Sequence, residues 1–71
     1  MIPYSSKSGK TSGVTGYKIG RDFILVQFNS TEIYRYSYRS AGRSVVETMK
    51  GLAQASMGLS TFISQHQPDY E

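Results

Sequence analysis

Three runs of β-branched and aromatic residues follow one another ahead of residue 40, with only two or three residues between them. The runs are Val14–Ile19, Phe23–Phe28 and residues 31–38, and side chains of these types favour strands. The connections at residues 20–22 and 29–30 suit only antiparallel pairs, because parallel strands need a crossover of a dozen or more residues. The sequence therefore predicts a three-stranded antiparallel meander.

A helical pattern replaces the strand pattern after residue 42. Ser44 followed by Glu47 matches a capping box, in which a hydroxyl and a carboxylate each accept a hydrogen bond from an amide at the helix start. Val45, Met49 and Leu52 then recur at helical spacing and form one apolar stripe. We predict a helix that begins at this capping box and packs its stripe against the sheet.

A second, shorter helix is predicted to follow the first. Gly58 is well placed to end the first helix, since glycine is the usual residue just beyond a helix C-terminus. Residues 60–66 form a helical segment that presents Phe62 and Ile63, and Pro68 ends it. The predicted fold class is α+β, with a three-stranded antiparallel meander followed by one longer and one short helix packed on one face.

Length and composition limit the organisation of the chain. Seventy-one residues allow one domain. We assign residues 1–12 to a flexible N-terminal arm, because they offer almost nothing to bury, and residues 13–71 to a single domain. The chain has no cysteine, which fits the reducing cytoplasm. No stretch approaches the roughly 18 apolar residues of a membrane span, so we expect no membrane partner.

The two faces of the predicted sheet differ in character, because side chains alternate along a strand and one helical layer covers only one face. An unpaired Arg35 is seldom buried, so its face is assigned to solvent and the alternate positions to the core. The predicted core places Ile24, Val26, Phe28, Tyr34 and Tyr36 under Val46, Met49, Leu52 and Phe62.

The opposite face of the predicted sheet carries Phe23, Leu25, Ile33, Arg35 and Lys18. This is a large apolar surface for a small protein, and such surfaces often mark contact sites. Phe23, Leu25 and Ile33 are the candidate residues of a protein-interaction site. Phe23 with Arg35 offers a second chemistry, since an aromatic ring stacks on a base while an arginine neutralises a phosphate.

Positive charge lies ahead of residue 51, and the formal net charge is +3. Arg35, Arg39 and Arg43 recur every four residues, with Tyr38 between them. If the connecting loop folds back, they form one positive patch that suits a phosphate-bearing partner. The alternative is a set of solvated arginines that keep a small protein soluble. The candidate nucleic-acid-binding residues are Lys18, Arg35, Tyr38, Arg39 and Arg43.

No pattern in this sequence supports catalysis. Residues 9–11, Gly-Lys-Thr, look like the end of a phosphate-binding loop, but Tyr4 stands where the partner glycine is needed. His66 is the single histidine and has no metal-ligand spacing around it. No serine lies in a nucleophile elbow. We therefore expect a protein that is not an enzyme, with no catalytic residue, no metal site and no cofactor.

A strand, an apolar strand, a Tyr-x-Tyr strand and a helix that closes in Ser-x-Gly ahead of an aromatic residue follow one another in this chain. The pieces are Val14 with Tyr17, residues 24–28, residues 34–36, residues 56–58, Phe62 with Ile63, and residues 68–70. This order resembles the KTSC domain, named after the C-terminal extension of some lysyl-tRNA synthetases, over nearly the whole predicted domain. The resemblance implies a small bacterial or phage protein with a role in RNA binding.

Two functions of different classes fit these observations. The leading hypothesis is a non-enzymatic module that binds nucleic acid, RNA in particular, through the basic, tyrosine-containing surface. The alternative is a small protein-interaction or inhibitor module, of the kind that phages encode, which uses the apolar sheet face. Weak self-association through the same face, giving a homo-oligomer, is a variant of that alternative.

Overall fold

The computed structural model describes residues 1–4 and 13–71. Four strands form one antiparallel sheet in the order β1-β2-β3-β4, and two helices follow, which confirms the predicted α+β class. Neither helix of the described chain has the length and apolar character that a membrane crossing needs. The elements are β1 (Ile2–Pro3), β2 (Val14–Ile19), β3 (Phe23–Phe28), β4 (Glu32–Ser37), α1 (Arg43–Ala55) and α2 (Leu59–His66).

The prediction of three strands is wrong by one, because the first residues of the predicted arm add a strand at the edge of the sheet. Ile2 pairs with Tyr17, and Pro3 pairs with Gly16, in antiparallel register. Proline is compatible with this position because sheets tolerate it on edge strands. A two-residue strand is too short to show an alternating pattern. The rest of the predicted arm, residues 5–12, lies outside the described residues.

Tyr4 ties β1 to the core of the domain. Its side chain is only 5% exposed, and its ring meets that of Tyr17 edge-on with 6.4 Å between the centroids. The backbone N–H of Leu59, at the start of α2, donates a 3.2 Å hydrogen bond to the Tyr4 hydroxyl. The first N–H groups of a helix have no partner within it. Tyr4 therefore satisfies a buried donor of α2.

A tight turn and a bulge fix the register of the longer strands. Between β3 and β4, Asn29 and Ser30 have φ values of 53° and 61°, which is the type I′ hairpin geometry. In β2, Thr15 is the extra residue of a bulge between Val14 and Gly16. The Ser30 N–H donates to Thr15 Oγ1 at 3.0 Å, and this hydrogen bond connects the turn to the bulge. The predicted limits of β2 and β3 are confirmed, and β4 is one residue shorter at each end than predicted.

Helix α1 begins at Arg43, and the predicted capping box is wrong. No side chain of the described residues caps the helix, whose N-cap is Gly42 with a φ of 96°. Only glycine adopts such a conformation readily. The Glu47 carboxylate instead accepts from the Tyr38 hydroxyl and lies 2.9 Å from Lys50 Nζ. This carboxylate therefore makes a tertiary contact rather than capping its own helix.

The junction between the two helices also differs from the prediction. Ser56, with a φ of 54°, caps the end of α1. Gly58 is the N-cap of α2, so the prediction that it ends the first helix is wrong. Leu59 consequently begins α2, one residue ahead of the predicted start, and it is fully buried, which the sequence pattern did not indicate. The predicted end of this helix at His66 is confirmed.

Both helices pack on the same face of the sheet. Ile24, Val26 and Tyr36 are buried with Val46 and Met49 in one cluster, as predicted. Burying each aliphatic side chain contributes about 1.5–3 kcal/mol, so this cluster supplies much of the stability of a small domain. The remaining predicted core residues are partly buried against it, and they are Phe28, Tyr34, Leu52 and Phe62.

The other face of the sheet has no helix over it in the described part of the chain. It carries Lys18, Phe23, Leu25, Ile33 and Arg35, and we call it the open face. The prediction that these five side chains share one face is confirmed by the strand register.

Replacing Tyr4 with phenylalanine should lower the free energy of unfolding by about 1–3 kcal/mol, since the buried Leu59 N–H would lose its partner. Urea denaturation of the two proteins measures the difference. Tyr70→Phe is the matched control, because Tyr70 is 57% exposed and loses only a solvated hydroxyl. If the free energy of unfolding falls equally in the two variants, the Tyr4 hydroxyl is not the group that attaches β1.

Candidate functional site

Two cations flank an aliphatic side chain on the open face. Lys18 on β2 is paired with Leu25 on β3, and Leu25 is paired with Arg35 on β4. Strands lie about 4.8 Å apart, so the two cationic residues are anchored about 10 Å from each other. Lys18 and Arg35 are exposed, and Leu25 is half-buried between them. The row Lys18–Leu25–Arg35 therefore places two cationic side chains on either side of an apolar one.

Phe23 lies beside this row and contacts Arg35. The Arg35 guanidinium carbon is 4.2 Å from the centre of the Phe23 ring, which is cation–π geometry. The ring also packs against Gly20, where an added Cβ would lie 2.0 Å from it. Glycine at position 20 therefore makes room for the ring, and Phe23 is half-buried rather than fully available for stacking.

Arg35 also pairs with Glu71. Arg35 Nε donates to Glu71 Oε2 at 2.8 Å, and the Glu71 backbone N–H donates to the Arg35 carbonyl at 2.8 Å. Hydrogen bonding toward Ser37 and Arg35 lowers the pKa of Glu71, and the positive charge of Arg39 acts in the same direction. Since the paired side chains are 48% and 42% exposed, the ion pair is screened by water and contributes little stability.

Tyr38 belongs to a different group, on the helix side of the sheet. Its hydroxyl donates to Glu47 Oε2 at 2.6 Å, and Arg43 and Lys50 lie 5.9 and 5.4 Å from the ring centre. Lys50 Nζ also donates to the Arg21 carbonyl at 3.0 Å, and its side chain is only 12% exposed. The hydrogen bond to Glu47 raises the pKa of Tyr38, and Tyr38 and Lys50 lower the pKa of Glu47. This group fixes α1 to the turn before β3.

The structure therefore divides the five predicted nucleic-acid-binding residues. Lys18 and Arg35 lie together on the open face. Arg39 is exposed, and its positive charge helps to lower the pKa of Glu71, the partner of Arg35. Tyr38 and Arg43 contact each other on the helix side. A spacing of four residues does not bring the three arginines to one surface, because the chain turns from strand to helix between them.

The predicted protein-interaction residues do share one surface. Ile33 lies two residues before Arg35 on β4, so its side chain is on the same face. It pairs with Gln27 and is 53% exposed. Phe23 and Leu25 are half-buried on the same face. An exposed isoleucine on an edge strand next to two half-buried apolar side chains forms a contiguous apolar strip.

Sequence reasoning used residues 68–70 only in the resemblance to the KTSC domain and did not predict that Tyr70 and Glu71 contact β4. The Tyr70 ring centre is 4.7 Å from that of Tyr34 and 6.2 Å from that of Tyr36. A groove of about 490 Å³ lies at this place. Its lining residues are Tyr36, Ile63, Gln67, Pro68, Asp69 and Tyr70. The one sequence signal was an aromatic residue followed directly by an acidic one.

The described residues contain no group of three or more His, Cys, Asp or Glu side chains that could hold a metal ion. His66 stacks on Phe62 with 4.3 Å between the ring centres, so its ring makes an intrahelical contact at the end of α2. The Gly-Lys-Thr sequence at residues 9–11 lies outside the described residues. The interactions that the open face offers to a ligand are ion pairing, cation–π contact and apolar contact.

Comparisons with protein-family models, with curated proteins and with solved structures found no significant match to this chain. The resemblance to the KTSC domain therefore stays a prediction.

Lowering the pH should release Glu71 from Arg35. The lowered pKa of Glu71 means that the contact stabilises the fold above the ordinary glutamate pKa and is lost as the pH falls through the lowered value. NMR titration of the Glu71 side-chain carboxyl carbon should give a midpoint below that of a solvated glutamate. Arg35→Gln should move this midpoint upward. Arg43→Gln, which removes a cation from the helix side, should leave it unchanged, and equal shifts would contradict a local contact.

Proposed function

We propose that this chain is a small non-enzymatic binding module whose open face binds single-stranded nucleic acid, RNA in particular. The observation that carries the proposal is the row of Lys18, Leu25 and Arg35, with Phe23 beside it, on a face that has no helix over it in the described part of the chain. Cations separated by an apolar floor match the alternation of phosphates and bases along a single strand. The predicted resemblance to the KTSC domain favours RNA over DNA.

Each residue of the open face has a distinct part in this proposal. Lys18 and Arg35 are anchored on opposite sides of Leu25, and in this proposal each neutralises a different phosphate, with the phosphate at Arg35 taking the place of Glu71. Leu25 and Ile33 provide the apolar surface for bases. Phe23 holds the Arg35 guanidinium in position through the 4.2 Å contact, rather than stacking with both of its faces.

Arg39 and the two helix-side residues, Tyr38 and Arg43, have different roles in this proposal. Arg39 extends the positive surface beyond Arg35, where it is exposed. Tyr38 and Arg43 are left out of the contact surface, because the Tyr38 hydroxyl is engaged by Glu47 and the ring lies near two cations of α1. Their part in this proposal is to attach the helix to the end of the sheet.

Neutralising both cations of the row should weaken binding and reduce its dependence on salt. Each phosphate contact on a single strand contributes about 0.7 to the slope of log K against log salt concentration. Lys18→Gln/Arg35→Gln should therefore lower that slope by about 1.4. Fluorescence anisotropy with a labelled single-stranded RNA, at a series of salt concentrations, measures the slope for each protein.

The matched control for this measurement is Arg21→Gln/Arg43→Gln. It removes the same charge from exposed positions off the open face. This control should retain the slope and most of the affinity. If the slope of log K against log salt concentration falls equally in both double variants, binding is diffuse attraction to a basic protein. The open face is then not a nucleic-acid-binding site. If the unmodified chain shows no RNA binding at low salt, the nucleic-acid function is wrong.

A second candidate is protein interaction or self-association through the apolar strip of Phe23, Leu25 and Ile33. The observation in its favour is Ile33, which is 53% exposed on the edge strand of the sheet. Exposed apolar surfaces of this kind often mark contact sites. Such binding would depend little on salt, unlike binding to nucleic acid.

Sedimentation velocity over a range of protein concentrations tests the self-association form of this candidate. Leu25→Asp should abolish any dimer, because a carboxylate in the buried centre of an apolar contact is strongly unfavourable. Gln54→Asp, on the exposed side of α1, is the control and should leave the dimer unchanged. A monomer at every concentration excludes self-association through this strip.

A further inference from the structure

Tyr70 and Glu71 lie at the outer edge of β4. Tyr70 and Glu71 are adjacent, yet their side chains contact opposite sides of the strand. Tyr70 lies against Tyr34 and Tyr36, which belong to the helix-side surface, and Glu71 pairs with Arg35 on the open face. Alternation of this kind is what an extended strand produces. The segment thus straddles the edge of the sheet.

The backbone takes part in the same contact. The Glu71 N–H donates to the Arg35 carbonyl at 2.8 Å, on the edge of the sheet that β3 does not occupy. This is one bond of a sheet ladder, and adding an extended peptide to a sheet edge is a common recognition mode. Residue 71 therefore lies where an added strand would lie, although a single backbone bond holds it and residues 68–71 form no strand of the sheet.

The contact combines three weak interactions, and none of them buries its groups completely. Tyr70 is 57% exposed, and the Arg35 and Glu71 side chains are 48% and 42% exposed. Exposed ion pairs and single edge bonds contribute little stability each. A competing segment with the same chemistry can therefore displace residues 68–71 without disturbing the core.

We propose that the outer edge of β4 is a binding site for an extended peptide in which an aromatic residue is followed directly by an acidic one. Residues 68–71 are the intramolecular occupant of this site. The aromatic ring takes the place of Tyr70 on Tyr34 and Tyr36, and the carboxylate takes the place of Glu71 on Arg35. The exposed Arg39 adds positive charge that favours an acidic ligand.

The proposal fixes the spacing of the two recognised side chains. An aromatic residue and an acidic residue that are adjacent point to opposite sides of the edge, as Tyr70 and Glu71 do. One inserted residue would send both side chains to the same side, so one of the two contacts would be lost. Peptide binding at this site does not require the nucleic-acid function, but the two ligands would compete because both use Arg35.

The test uses the full chain with its own segment weakened by Tyr70→Ala/Glu71→Ala. The probe is a fluorescent peptide, Gln-Pro-Asp-Tyr-Glu, blocked at both ends so that its only carboxylates are side chains. A short tether holds the intramolecular segment at an effective concentration on the order of 1 mM. A peptide with Kd on the order of 0.1 mM should therefore bind the variant about tenfold more tightly than the unmodified chain.

Two controls make the result specific. The peptide Gln-Pro-Asp-Tyr-Gly-Glu, with one inserted glycine, should bind the variant much more weakly. Adding Arg35→Gln to the variant should also reduce binding of the first peptide. Amide shifts of Ile33 and Arg35 in NMR spectra should locate the bound peptide on β4, and circular dichroism confirms that each variant is folded.

Three outcomes would overturn the proposal. They are the absence of peptide binding to the folded variant at millimolar concentration, equal binding of the two peptides, and amide shifts that avoid β4. None of these readouts involves nucleic acid, so failure here is distinguishable from failure of the RNA titration.

Discussion

The packing of two helices on one face of a small sheet is the interaction on which the rest of this molecule depends. Val46 and Met49 of α1 and Leu59 of α2 are fully buried in one cluster with Ile24, Val26 and Tyr36 of the sheet. The two helices cover only one face of the sheet. The other face is left with half-buried apolar side chains between cations, and the proposed nucleic-acid and protein-interaction surfaces both lie on it.

Most of the fold could be predicted because its signals are local. Alternation along β3 and β4 separated the core side, with Ile24 and Tyr36, from the open side, with Leu25 and Arg35, and the register confirms the separation. The change from a period of two to a helical period marked the two helices. Short turns left no alternative to antiparallel pairing. These features depend on residues that are neighbours in the chain.

The remainder depends on partners that are distant in sequence. Tyr4 is buried because Leu59, 55 residues away, offers it an amide, and no pattern near residue 4 shows this. The capping box failed because Glu47 is engaged by Tyr38 of the preceding turn. Within the candidate site, Lys18 and Arg35 could be placed on one face from strand alternation. The contact of Glu71 with Arg35 could not, since no periodicity connects these two positions.

The hydrogen bond between Tyr4 and Leu59 also constrains the order in which the domain folds. The hairpins of β2, β3 and β4 close short loops, which is fast, whereas β1 can be held in place only after α2 has reached its final position. We expect residues 2–4 to join the fold last and to leave it first. The packing of residues 2–4 would then be the final step, and it would occur only in molecules whose helical layer has already formed.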